Sequence, residues 1–141
     1  MALIFVSYRR ADASGSTGRV CDRLRDRFGP ENVFRDVNSI EAGEDFLRVI
    51  EETMTGCVVC LAIIGRQWLR ADDGKGQPRL INARDLVRME IATALDQGIR
   101  VIPVLVDGAQ MPTAEQMPGL LQRLTNLNAS EVSDKWFYGV S

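Results

Sequence analysis

The 141-residue sequence contains no histidine and no excess of basic charge. Without histidine, a Ser-His-Asp or Cys-His relay is excluded and the commonest metal ligand is missing, so carboxylates are the best candidates for acid, base or nucleophile. The 17 basic residues against 19 acidic ones leave no basic field for a nucleic-acid backbone. We therefore expect no histidine-based site, no metal and no nucleic-acid partner.

Long hydrophobic runs are also missing: none approaches the roughly 20 residues that cross a bilayer, and the opening MALIFVSYRR lacks the order of a secretory signal. The three cysteines, Cys21, Cys57 and Cys60, are an odd number and form no disulfide framework. Cys57 and Cys60 spell C-x-x-C, but an extended chain would point them to opposite faces, so we interpret them as buried, inert thiols. These features predict a cytoplasmic protein with no membrane partner.

The remaining composition, 45% hydrophobic over a short chain, indicates one compact domain spanning residues 1–141. Short apolar runs alternate along it with segments of helical periodicity. The predicted strands are ALIFVSY, NVFRDV, CVVCLAIIG, RVIPVLVDG and a weak edge strand in ASEVSD. The predicted helices are TGRVCDRLRDRFG, the part of NSIEAGEDFLRVIEETMTG that follows a loop, NARDLVRMEIATALDQG, and TAEQMPGLLQRLTNLN, whose helical pattern Pro118 and Gly119 interrupt. This order predicts an α/β fold with a doubly wound parallel sheet, helices on both faces and ligands at the carboxyl ends of the strands.

Glu90 is the carboxylate of most interest, because the third predicted helix sets it on the shoulder between Leu86 and the apolar face. Arg84 and Arg88 lie well round the helix from it, so neither is a natural ion-pair partner. A partly buried carboxylate without a local partner suggests a functional site. Periodicity alone favours a plainer interpretation, in which Glu90 pairs with an arginine from elsewhere or turns out to water.

Two segments lie where this architecture binds ligands. SYRR places Arg9 and Arg10 at the end of the first strand, where fixed cations can hold phosphate oxygens, although a solvated loop is an equally good interpretation. The charged segment RDVNSIEAGEDF contains Asp36 and Gly43 and predicts a ligand lid, a protein-docking loop or simply the start of a helix.

Two further patterns have competing interpretations. Trp68, just past the third strand, either stacks on a planar ring or closes the core, and the second role is the commoner. The segment GSTG resembles a phosphate-binding loop only faintly, since no complete glycine-rich motif is present. Capping of the first helix by Ser16 or Thr17 explains it better.

Taken together, IFVSYRR, NVFRDVNSIEAGEDF, VVCLAIIGRQWL, DLVRMEIATAL and VIPVLVDGAQMP resemble the successive blocks of a Toll/interleukin-1 receptor (TIR) domain of bacterial type, in order and in spacing. The resemblance covers nearly the whole chain and implies a flavodoxin-like, three-layer fold with a five-stranded parallel sheet. It also implies self-association through the loop Asp36–Gly43. Family members usually continue into one more helix, whereas this chain stops at KWFYGVS, so we expect a domain excised from a longer protein.

The resemblance further implies an activity, because many bacterial, plant and some animal members cleave NAD+ between nicotinamide and ribose. Their essential glutamate, in a W-x-x-x-E pattern, aligns with Glu90, whereas the tryptophan is Leu86 here. The implied function is an NAD+ glycohydrolase (NADase) that needs no cofactor and is activated by self-association. A fused or associated sensor domain is the implied partner. The implied role is bacterial immune defence, such as antiphage defence, or signalling. The residues expected at the substrate are Tyr8, Arg9, Arg10, Asp36, Gly43, Trp68 and Leu86, with Glu90 catalytic.

Two alternatives belong to other classes. A non-catalytic adaptor would act only by homotypic TIR association, and Leu86 favours it modestly. A receiver-like nucleotide binder fits less well, because arginines replace the acidic cluster expected at the end of its first strand.

Overall fold

The computed structural model describes residues 3–35, 45–71, 74–82 and 85–131. Its strands are Ile4–Ser7 (β1), Val33–Phe34 (β2), Val59–Ile64 (β3), Arg100–Leu105 (β4) and Ser130–Glu131 (β5). Its α-helices are Arg10–Phe28 (α1), Phe46–Met54 (α2) and Leu86–Asp96 (α3), and short 3₁₀ helices cover Pro30–Asn32, Arg79–Ile81, Ala114–Gln116 and Gly119–Asn126.

The five strands form one sheet in the order β2-β1-β3-β4-β5, and every neighbouring pair is parallel. The chain first moves outward from β1 to β2 and then returns across β1 to β3. The direction of winding therefore reverses between β1 and β3, and their carboxyl ends border the crevice where open α/β sheets bind ligands. This topology confirms the predicted flavodoxin-like α/β fold.

Strands β1, β3 and β4 send alternate side chains to two separate cores, because successive residues of a strand point to opposite faces. Phe5 and Cys60 pack with α2 and α3 on one side, which we call the α3 face. Val6 and Ile63 pack with α1 on the other side. Ser7, two residues after Phe5, therefore points toward the α3 face, and this places its hydroxyl beneath α3.

The first helix begins earlier than its sequence pattern predicts. It starts at Arg10, contains non-helical backbone angles at Ala13 and continues to Phe28. The prediction that Ser16 or Thr17 caps the helix was wrong, since both residues lie buried within it. Apolar periodicity starts only at Val20, and the first turns are instead held by contacts to the loops after β3 and β4, which no local pattern reveals.

Two other predictions need correction. The last helical pattern folds as the 3₁₀ helices Ala114–Gln116 and Gly119–Asn126, which Pro118 separates. Cys57 and Cys60 lie in the same core rather than on opposite faces, because β3 begins only at Val59 and strand alternation does not extend back to Cys57. Both thiols are buried and free, as expected.

Candidate functional site

Glu90 lies on α3 with only 5% of its surface exposed. Its Oε1 atom accepts a hydrogen bond of 2.8 Å from Oγ of Ser7, the last residue of β1. The carboxylate is thus not turned out into solvent. It is a buried acidic group held at the carboxyl end of the strand next to the crevice.

The surroundings of Glu90 are poor in water. Burial raises the pKa of the neighbouring Cys60 thiol far above its usual range, and the negative charge of Glu90 raises it further. A charge in such surroundings acts more strongly on its neighbours than it would in bulk water. Any cationic group that approached Glu90 here would therefore interact with it strongly.

Arg9 is buried, with 3% of its side chain exposed, and forms a two-pronged ion pair with Asp85. Its Nη1 and Nη2 atoms donate to Oδ1 and Oδ2 of Asp85, both at 2.9 Å. Asp85 also caps α3, because its side chain accepts a hydrogen bond from the backbone N–H of Arg88. The ion pair therefore joins the end of β1 to the start of the helix that carries Glu90. The role of Arg9 as a direct substrate contact stays a prediction.

Tyr8 and Arg10 flank Arg9 and are more accessible. Tyr8 is half-buried, and the guanidinium carbon of Arg35 lies 5.1 Å from the centre of its ring, which is cation–π distance. Arg10 is exposed and starts α1. Of the two adjacent arginines, Arg10 is the one whose side chain faces solvent, so it is the better placed to meet an anionic ligand.

Asp12 closes part of the crevice between β1 and β3. Its carboxylate oxygens accept hydrogen bonds from the backbone N–H groups of Gly65, at 2.8 Å, and Gln67, at 2.6 Å. Burial raises the pKa of Asp12, although the two hydrogen bonds act in the opposite direction. Asp12 thereby ties α1 to the loop that follows β3.

A second tie joins α1 to the loop after β4. Oγ of Ser16 donates to Oδ1 of Asp107 at 2.6 Å, and Nε of Arg66 donates to the backbone oxygen of Asp107 at 2.7 Å.

An open cleft of about 700 Å³ lies between the loops after β3 and β4, and Arg66 is one of the residues that line it. None of the predicted site residues that the structure describes lines this cleft.

Trp68 and Leu86 both contribute to the core of the α3 face. Trp68 is fully buried, and its Nε1 atom has no hydrogen-bond partner among the described residues. Trp68 therefore closes the core of the α3 face. Stacking on a ligand would require its ring to become exposed. Leu86 is partly buried against the same core at the first position of α3.

Asp36 and Gly43 lie outside the described residues, so their predicted roles stay predictions.

Within the described parts of the chain, no group of three or more Cys, Asp or Glu residues could hold a metal ion. The same parts contain no helix that is long and apolar enough to span a membrane.

Three residues at this edge of the sheet were not singled out from the sequence: Ser7, Asp12 and Asp85. Strand alternation from Phe5 could have placed Ser7 on the α3 face, and the N-terminal position of Asp85 on its helix is a recognisable capping signal. Their partners come from segments distant in sequence, and only the fold brings them together.

Known proteins share this fold, and a family profile matches the sequence. The profile of the TIR domain family matches residues 4–136, so the chain belongs to the TIR domain family. A search of curated proteins gives no significant match.

Two solved structures illustrate the likeness. The TIR domains of the activated Roq1 resistosome, which directly recognizes the pathogen effector XopQ, superpose with a TM-score of 0.62 at 10% identity, over 94% of this chain and 89% of that one. The TIR domain of the Toll-related receptor TRR-2 from Hydra magnipapillata gives a TM-score of 0.63 at 12% identity, over 99% of this chain and 91% of that one. At these identities the likeness concerns the fold alone.

Proposed function

We propose that this TIR domain is an NAD+ glycohydrolase. The observation that supports the proposal most directly is Glu90, a buried carboxylate at the carboxyl end of β1 beside the segment Tyr8–Arg10. Nicotinamide leaves NAD+ as a neutral base from a cationic pyridinium, so the enzyme must mainly stabilise positive charge on the ribose. A fixed carboxylate in a water-poor site meets that requirement.

In the proposed reaction the bond between the nicotinamide nitrogen and C1 of the ribose breaks, and the bonding electrons leave with nicotinamide. Glu90 stabilises the resulting ribosyl cation, as carboxylates do in glycoside chemistry. Water then adds to C1 and releases a proton, giving ADP-ribose. Attack by a nitrogen of the adenine instead would give a cyclic product. No metal or additional cofactor takes part.

The other residues of the site bind and orient NAD+ in this proposal. Arg10 contacts the diphosphate, Tyr8 packs against a ring or a sugar, and Arg9 supports them from its ion pair with Asp85. Leu86 stands where many NAD+-cleaving family members have a tryptophan, so we expect it to pack against the substrate without aromatic stacking. Trp68 takes part only if its ring is uncovered.

We further propose that the activity depends on self-association of TIR domains through the loop Asp36–Gly43. A sensor domain, fused or associated, would bring copies together in the bacterial cytoplasm as part of immune defence or signalling. Such control suits an NADase, because uncontrolled hydrolysis would deplete a cofactor that the cell needs.

The test is release of nicotinamide from NAD+ by concentrated protein, with and without a crowding agent, followed by chromatography of the products. Glu90→Gln keeps the size of the side chain but removes its charge, and we expect turnover to fall about 10² to 10³-fold. Glu31→Gln is the matched control, since Glu31 is exposed and precedes β2, at the amino ends of the strands, whereas Glu90 lies at their carboxyl ends. Normal turnover by Glu90→Gln, with retained folding, rules out the assignment of Glu90.

A non-catalytic adaptor is the second candidate. Leu86 in place of the tryptophan favours it, and the hydrogen bond from Ser7 gives Glu90 a purely structural use. An adaptor would self-associate in sedimentation experiments yet leave NAD+ intact at every protein concentration. The chromatogram of the reaction products therefore separates the two candidates.

A further inference from the structure

The hydrogen bond between Ser7 and Glu90 joins residues that are 83 positions apart in the sequence. Ser7 has 1% of its surface exposed and Glu90 has 5%, so water does not compete for this contact. A hydroxyl that donates to a carboxylate forms a stronger bond than one between neutral groups. The contact therefore holds one oxygen of Glu90 in a defined place.

The same strand end holds the backbone of α3. Arg9, two residues after Ser7, is paired with Asp85, and Asp85 caps α3 five residues before Glu90. The end of β1 consequently restrains Glu90 twice, once at its side chain and once through the start of its helix.

We propose that Ser7 is a positioning residue for Glu90, with the Arg9–Asp85 pair fixing the helix that carries it. This inference rests on the proposed function. Donation from the Ser7 hydroxyl favours the ionised form of the carboxylate, which is the form that stabilises a ribosyl cation. Ser7 itself does not touch the substrate.

The main test compares Ser7→Ala with Ser16→Ala. Ser16 is a matched control, because it is also a buried serine whose hydroxyl donates to a carboxylate, that of Asp107, away from Glu90. For Ser7→Ala we expect kcat for nicotinamide release to fall about 10 to 10²-fold with little change in KM, since misplacement of a catalytic group by about 1 Å has effects of that size. For Ser16→Ala we expect no specific loss of kcat.

The pH profile and a rescue variant separate positioning from simple loss of stability. Without its donor the carboxylate binds a proton more readily, so the acidic limb of the kcat profile should move to higher pH in Ser7→Ala but not in Ser16→Ala. Ser7→Thr restores a hydroxyl on a β-branched side chain that suits a strand, and it should recover part of the lost kcat. Unchanged kcat and an unchanged pH profile in folded Ser7→Ala overturn the proposal.

A measurement that needs no turnover keeps this inference separate from the proposed function. Glu90→Met keeps an unbranched side chain of similar length but removes the acceptor. In a double-mutant cycle on stability, the effects of Ser7→Ala and Glu90→Met should be clearly non-additive, because the second change removes nothing more from the same bond. Additive effects overturn the role of Ser7. Absence of nicotinamide release from the unmodified protein overturns the proposed function instead.

Discussion

Gly65 shows how closely single residues are fitted at the carboxyl edge of the sheet. A β-carbon built on Gly65 would lie 2.6 Å from Oδ1 of Asp12, which is too close for two non-bonded atoms. Asp12 cannot simply move aside, because it accepts hydrogen bonds from the backbone of Gly65 and Gln67. A glycine is therefore required here for close approach and not for an unusual backbone conformation.

We predict that Gly65→Ala lowers the free energy of unfolding by about 1–3 kcal/mol, the cost of leaving buried hydrogen-bonding groups unpaired. Gly15→Ala is the control, since Gly15 lies in α1 with no atom within 4 Å of an added β-carbon. It should stabilise the protein by about 0.5–1 kcal/mol. Urea unfolding followed by circular dichroism measures both, and a stabilising Gly65→Ala would contradict the tight contact.

At the scale of secondary structure elements, α2 and α3 begin with the same kind of cap but in different surroundings. Asp45 caps α2 at the surface, where its side chain accepts from the backbone of Leu47 and Arg48. Asp85 caps α3 and is also the partner of the buried Arg9. A comparison of the two helices therefore separates the contribution of a cap to folding stability from that of a buried ion pair.

We predict that Asp45→Ala costs about 1 kcal/mol of stability, the usual worth of a cap. Asp85→Ala should cost about 3–5 kcal/mol more, because it leaves the charge of Arg9 buried without a partner. Urea unfolding of the two variants provides the comparison, and a variant already unfolded in buffer counts as the larger loss. Equal losses would show that Arg9 finds solvent or another partner.

The periodicity of the sequence predicted some helices and strands more accurately than others. α2 and α3 were predicted because their apolar residues recur at helical spacing and pack on the sheet. The first turns of α1 were missed, since the polar segment there is held by Asp12 and Ser16 reaching distant loops. The edge strand β5, only two residues long, falls within ASEVSD, the segment predicted as a weak edge strand.

At the scale of the whole molecule, the two cores enclose all three thiols. Cys21 lies in the core beneath α1, and Cys57 and Cys60 lie in the core of the α3 face. Burial raises the pKa of each thiol, and this disfavours the reactive thiolate. The C-x-x-C spacing is therefore a feature of packing in this fold.

We predict that a thiol reagent such as Ellman's reagent labels none of the three cysteines rapidly in the native protein and labels all three after denaturation. Val58→Cys provides the positive control, because Val58 is 64% exposed beside Cys57. The thiol that this variant adds should react at once. Rapid labelling of the unmodified native protein would mean that one of the cores opens readily.

The sequence by itself determined the class of this molecule: the alternation of apolar runs and helical patterns fixes a parallel sheet covered on both faces, and the order of its blocks pointed to the TIR family. It also singled out Glu90, because a carboxylate on the shoulder of an apolar face stands out from the helical period. Only the tertiary structure decided what holds that carboxylate. Ser7, Arg9 and Asp85 find their partners across many intervening residues, and such contacts depend on how strands and helices pack, which local periodicity does not encode.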